Sequence, residues 1–206
     1  MNKIKFLLLF IFLWMVNVAH AQIKHYDFNI LAYGNIGFGV LENDKDVNYN
    51  MNSNSSDLQL NYRITHRFGL ATGVGVNQLS GNSFDTIGYF HHERILLKIP
   101  LLAVLEYNIS DNFRVAPSFG FYAQTILKDQ YEYLNNSQKN NYNGWNYGAQ
   151  LGFGLAYRVS NRFSVGFNYG LQFDLSKFKI NPDLETDNKQ KLGKLNALGI
   201  ILIIEL

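Results

Sequence analysis

From Trp145 onward the chain alternates without a break. Odd positions read Trp145, Tyr147, Ala149, Leu151, Phe153, Leu155, Tyr157 and Val159, while even positions read Asn146, Gly148, Gln150, Gly152, Gly154, Ala156 and Arg158. The pattern resumes with Phe163, Val165, Phe167, Tyr169, Leu171, Phe173 and Leu175 against Ser164, Gly166, Asn168, Gly170, Gln172, Asp174 and Ser176. A period of two over this length specifies β-strand. The two faces then decide the surroundings. A small barrel in water must fill its interior with the large apolar side chains. Here the Gly, Asn and Gln face suits a narrow interior, and the continuous band of Phe, Leu, Val and Tyr is left outside, where it needs lipid. Trp145 and Tyr147 at one end and Tyr157 at the other match the two aromatic girdles of a membrane barrel.

The same rule finds eight strands, at about Tyr26–Val40, Leu58–Thr65, Phe68–Leu79, Arg94–Ile109, Phe113–Leu127, Trp145–Val159, Phe163–Leu175 and Leu195–Leu206. The expected fold is all-β: an eight-stranded antiparallel transmembrane β-barrel with short periplasmic turns and long extracellular loops. An even count closes such a barrel with no unpaired edge in lipid. Three links repeat one pattern of an apolar residue, a hydroxyl, two polar residues and Phe: Ile64-Thr65-His66-Arg67-Phe68, Ile109-Ser110-Asp111-Asn112-Phe113 and Val159-Ser160-Asn161-Arg162-Phe163. Their Ser, Thr, Asn and Asp content is turn chemistry, and these are the expected periplasmic turns. The other links, Leu41–Asp57, Ser80–Glu93, Lys128–Gly144 and Phe178–Lys194, are longer and polar and read as extracellular loops.

Lys3 and Lys5, the apolar run Phe6–Val16 and the small-x-small Ala19-His20-Ala21 read as a secretory signal peptide, cleaved after residue 21, with the barrel domain over residues 22–206. Removing Lys3 and Lys5 from 18 basic side chains leaves 16 against 16 acidic ones, so no charge excess points to nucleic acid. The chain has no Cys, which excludes disulfides, thiolate catalysis and Cys-ligated metals. Signal peptide and lipid-facing strands together predict the outer membrane of a Gram-negative bacterium.

The stretch Leu97-Lys98-Ile99-Pro100-Leu101-Leu102-Ala103-Val104-Leu105-Glu106-Tyr107 resembles the Ile-Pro-Leu-Leu strand of the PorT-like outer-membrane β-barrel family. Asn146–Gly154 and Phe167–Leu171 are similar to its Gly-alternating and Tyr-x-x-Gly-Leu-like strands. The resemblance spans strands four to seven best. It implies an integral barrel and, for the family's namesake, a role in protein secretion.

The inward faces carry the acids Asp27, Glu106, Asp174 and Glu205 and the bases Arg63, Lys98, Arg114 and Arg158. Asp27, Arg63, Glu106, Arg114, Arg158 and Glu205 lie near the periplasmic strand ends and are expected to form one layer. Unpaired charges in so narrow an interior are costly, so this set predicts a salt-bridge plug. The alternative is loose pairing in periplasmic water. Pro100 removes a ladder donor in mid-strand, where a bulge would shift the face assignment.

Other chemistry is thinner. His91-His92-Glu93, near Ser80, Ser83 and Asp85, is the only arrangement suggesting a lipid-modifying hydrolase, and loop proximity alone does not make a nucleophile–base pair. Neighbouring strand residues face opposite ways, which argues against a His91/His92 metal site. Asp44-x-Asp46-x-Asn48 has Tyr49 and Ser55 where an EF-hand needs Gly and Glu. The expectation is therefore no metal, no cofactor and no catalysis. Expected partners are outer-membrane lipid and lipopolysaccharide, to whose phosphates Lys177, Lys179, Lys189, Lys191 and Lys194 are candidates, and extracellular or envelope proteins met through the loops. The leading reading is a structural or loop-mediated interaction protein. A narrow channel for ions or small solutes comes second and a surface lipid-modifying enzyme third. Eight strands are too few for a wide pore.

Overall fold

A computed structural model describes residues 28–206 except 87, 135, 140–141 and 181–187. The expected signal peptide and Asp27 lie outside the described residues.

Eight long strands form the wall: β1 Phe28–Asn43, β2 Tyr49–Arg63, β3 Phe68–Phe84, β4 Tyr89–Leu105, β5 Phe113–Tyr133, β6 Trp145–Ser160, β7 Phe163–Asp174 and β8 Gln190–Glu205. Each pairs antiparallel with its neighbours in sequence, and β1 closes on β8 from Asn29–Glu205 to Asn43–Gln190. Following direct partners once around the wall leads from Asn29 through Asn61, Ala71, Leu102, Gly120, Gln150, Gln172 and Leu195 to Gly39. The stagger is therefore ten residues, and eight strands at that tilt enclose room for side chains only.

The alternation acts as the sequence requires. Phe38, Leu58, Val74, Leu101, Phe121, Phe153, Phe167 and Leu198 stand exposed on the outer wall. Leu31, Ala71, Leu102, Ile201 and Ile203 pack inside near the periplasmic half. Large lumen side chains fit because facing positions are glycine. A Cβ on Gly75 would overlap the Asp57 carboxylate, and one on Gly148 would overlap the Tyr122 phenol.

The repeated turn motif has a physical basis. Thr65 Oγ1 accepts the Phe68 amide at 3.0 Å while the Ile64 amide donates to the Phe68 carbonyl at 2.9 Å. Ser110 and Phe113 repeat this at 3.2 Å, with Ile109 donating to the Phe113 carbonyl at 2.8 Å.

At the other end the strands run further than the sequence reading placed them. Stretches assigned there to loops are paired wall: β2 begins at Tyr49, β3 and β4 reach Phe84 and Tyr89, and β5 reaches Tyr133. On β2 the outer face of this extension is polar, with Asn50, Asn52 and Asn54, because it rises above the lipid, while Tyr49 and Met51 pack inside with Phe90 and Tyr131. Pro100 causes no change of face, and β4 alternates from Tyr89 to Leu105. The described β3–β4 ladder passes from Thr72–Leu101 to Gly75–Lys98, and Thr72 Oγ1 donates to the Pro100 carbonyl at 2.9 Å. The bulges lie elsewhere, at Leu127 opposite Ile95/Leu96, at Gly193 opposite Val40/Leu41 and at Val159 opposite Phe163/Ser164.

Candidate functional site

Charged side chains cross the lumen at three levels. At the periplasmic rim Arg114 bonds Glu106 at 3.3 Å and also Glu205, while Arg63 lies 3.9 Å from Glu106 and 4.0 Å from Glu205. Asn29 and Asn61 donate to the same Glu106 oxygen at 3.1 and 3.0 Å. Four of the six residues expected to form this layer therefore meet. Arg158 does not join them: its guanidinium reaches the Asp111 carbonyl at 3.3 Å, in the turn beside its own strand end.

Midway, Lys98 pairs with Asp57 at 2.9 Å and donates to Gln150 at 3.3 Å. The sequence reading had Lys98 but placed Asp57 in a loop. Asp174 departs from the expected acid–base balance in another way. Its carboxylate takes neutral donors: Tyr122 at 2.7 Å, Gln124 at 2.9 Å, Asn146 at 2.7 Å and the Leu192 amide at 2.7 Å. Four hydrogen bonds satisfy a buried carboxylate in place of a cation.

The third level, towards the extracellular end, holds Arg94 and Asp129, which the sequence reading did not count among the lumen charges, and His92, which it weighed only for catalysis or metal binding. Arg94 and Asp129 pair at 2.8 Å with both side chains 0% exposed. Arg94 also donates to Gln190 at 2.8 Å, and its guanidinium carbon lies 5.1 Å from the Tyr142 ring centroid and 5.3 Å from that of Phe178. His92 Nε2 is 2.8 Å from Asp129, its Nδ1 is 2.7 Å from the Tyr49 hydroxyl, and its ring stacks on Tyr131 at 4.0 Å. The outer wall beside this level carries His91, Glu93, Gln130 and Glu132, so it stands above the lipid. Burial first, and then the Arg94 charge, pulls the His92 pKa down to about 4 against its Asp129 hydrogen bond. A neutral imidazole facing a carboxylate must donate from Nε2, which leaves Nδ1 to accept from Tyr49. Alternation continued from Lys98 puts Arg94 and His92 inside, and alternation continued from Gln59 does so for Asp57. Asp129 was hidden by the Leu127 bulge, which reverses the inward parity of β5.

The candidate catalytic residues are otherwise engaged. Both His92 nitrogens are used, and His91 Nδ1 lies 2.7 Å from Asn82 on the outer wall. Among the described residues no group of His, Cys, Asp and Glu has the geometry of a metal site. Of the candidate lysines, Lys177 pairs with Asp44 and Lys191 with Glu42 at 3.1 Å.

The outer membrane protein beta-barrel domain family model matches residues 6–194. The chain belongs to that family. Its fold is similar to that of neisserial surface protein A (NspA), with a TM-score of 0.58 at 9% identity over 89% of this chain and all of that one. OprG from Pseudomonas aeruginosa aligns at a TM-score of 0.47 with 15% identity over 88% of this chain and 97% of its own. Ail of Yersinia pestis aligns at 0.45 with 12% identity over 87% of this chain and all of its own. No curated protein matches the chain in sequence. The protein is an outer-membrane β-barrel of the Gram-negative cell envelope.

Proposed function

We propose that the protein is a closed, non-enzymatic barrel that carries its extracellular strand ends as an interaction platform. The observation that carries this reading is Arg94, fully buried at the extracellular end of the lumen, where it pairs with its cross-strand neighbour Asp129 and reaches over to Gln190 on β8. Lys98–Asp57 and the Arg63/Arg114–Glu106/Glu205 layer close the path behind it. Opening a channel would require separating buried ion pairs at successive levels, each held by further hydrogen bonds, at a cost of several kcal/mol per ion. The wall above the lipid, extended well beyond the length needed to cross a bilayer, suits presentation of a surface to proteins or polymer outside the cell. The PorT-like resemblance of strands four to seven extends the reading to an envelope partner, with a secretion complex as the class it implies. Lipid and lipopolysaccharide are the barrel's surroundings on this reading.

Proteoliposome swelling tests it. Liposomes carrying the purified barrel should swell in small sugars no faster than empty ones. Faster swelling that depends on the barrel would replace this reading with the narrow channel.

A further inference from the structure

All four extracellular connections contribute to a single cavity of about 280 Å³ open to the outside. Its walls combine aromatic rings with polar side chains. Tyr49, Phe90, Tyr131, Tyr133 and Tyr142 line it, and Phe90 ties the cluster together with ring centroids 5.7 Å from Tyr49, 5.3 Å from Tyr131 and 5.6 Å from Tyr133. Among the described residues, the charged ones lining it are Asp46 and Asp85, with no Lys or Arg. The nearby cation, Arg94, lies behind the Tyr142 ring and is neutralised by Asp129.

We propose that this bowl binds an organic cation, an alkylammonium or alkylguanidinium group whose stem packs on the rings and whose charge meets Asp46 and Asp85. Aromatic faces attract a cation through their quadrupoles, and the attraction grows when the site is partly desolvated. The two carboxylates are fixed in place. Asp85 accepts the Tyr133 hydroxyl at 2.6 Å and the Gly88 amide at 3.1 Å, and Asp46 accepts the Asn188 side chain. A carboxylate has about four lone-pair positions, and the Asn188 amide takes one of those on Asp46. A sugar would instead need the amides, and these bond one another and the wall: Gln190 donates to Asn43 at 2.7 Å and accepts from Arg94 and Tyr131 at 2.8 and 3.2 Å.

The inference deepens the platform reading and rests on it only for the bowl facing outward. Binding by the purified barrel in detergent does not depend on conductance, so the two ideas fail separately. The test is calorimetric titration of the whole refolded barrel in a non-ionic polyoxyethylene detergent, which has neither ammonium nor sugar. The probes are spermidine, agmatine and end-blocked lysine, with 1-butanol and N-acetylglucosamine as neutral controls. The cations should bind, weaken as salt is raised, and lose about tenfold in affinity in the Asp46→Asn/Asp85→Asn variant, matching the energy of one cation–aromatic or screened ion contact. That variant should keep the wild-type unfolding temperature. Blocked lysine binding as well as spermidine would identify a protein side chain as the source, and spermidine alone a free polyamine. Absence of cation binding, equal binding of the neutral controls, or an unchanged affinity in the double variant would overturn the proposal.

Discussion

The two ends of the lumen are both sealed by Arg–carboxylate pairs, yet they are built differently. At the extracellular end Arg94 and Asp129 are 0% exposed and are packed among Tyr131, Tyr142 and Phe178. At the periplasmic end Arg114 is nearly buried, but Glu106 and Glu205 are 10% and 25% exposed and share two arginines. A dry pair becomes an uncompensated buried charge when one partner is lost, whereas a wet, shared layer can be replaced in part by water and salt. The same chemistry is therefore indispensable at one end and adjustable at the other.

The largest expected effect breaks the dry end. Asp129→Ala should lower unfolding stability, measured by urea titration of the barrel in lipid vesicles, by about 3–5 kcal/mol. Arg94→Met combined with Asp129→Leu should recover most of that loss, because removing both charges restores an apolar interior. Acid should weaken the same end. The folded His92 pKa of about 4 lies below the unfolded value near 6.5. The unfolded chain therefore binds the extra proton between those values, and His92's share of stability is complete above about 6.5 and lost as pH falls towards 4. His92→Phe should flatten that part of the pH–stability curve.

Gly148→Ala sharpens the contrast at an intermediate level. The new methyl overlaps the Tyr122 phenol and displaces its bond to Asp174, for an expected loss of about 1–3 kcal/mol in the same assay. Arg114→Ala at the wet end should cost about 1 kcal/mol and lose that effect in high salt. Arg158→Ala, which leaves both the pairs and the motif hydroxyls in place, should change stability by less than about 0.5 kcal/mol.

The contrast also explains what the sequence reveals. Strand number, the inward and outward faces, and the hydroxyl-x-x-Phe turns are legible because lipid and tight turns each demand a narrow residue pattern. Arg63, Glu106, Arg114 and Glu205 are legible as neighbours for the same reason, since they follow the uninterrupted alternation to the strand ends. The extracellular network is not. Above the lipid the outer face of β2 is polar, so Tyr49–Asp57 lacks an apolar outward stripe and reads as loop, and the Leu127 bulge turns Asp129 inward against the count. Charge balance misleads at Asp174, where Tyr122, Gln124 and Asn146 do the work assigned to a base. It misleads again at Arg158, which is satisfied by a backbone carbonyl.

Planar-bilayer conductance of the refolded barrel, with wild type beside Arg114→Ala, addresses the closed lumen most directly. Both should be silent, because opening the wet end leaves the Lys98–Asp57 and Arg94–Asp129 seals intact. Steady channels in the wild type would contradict a sealed lumen, and channels appearing only in Arg114→Ala would contradict a seal held at the dry end.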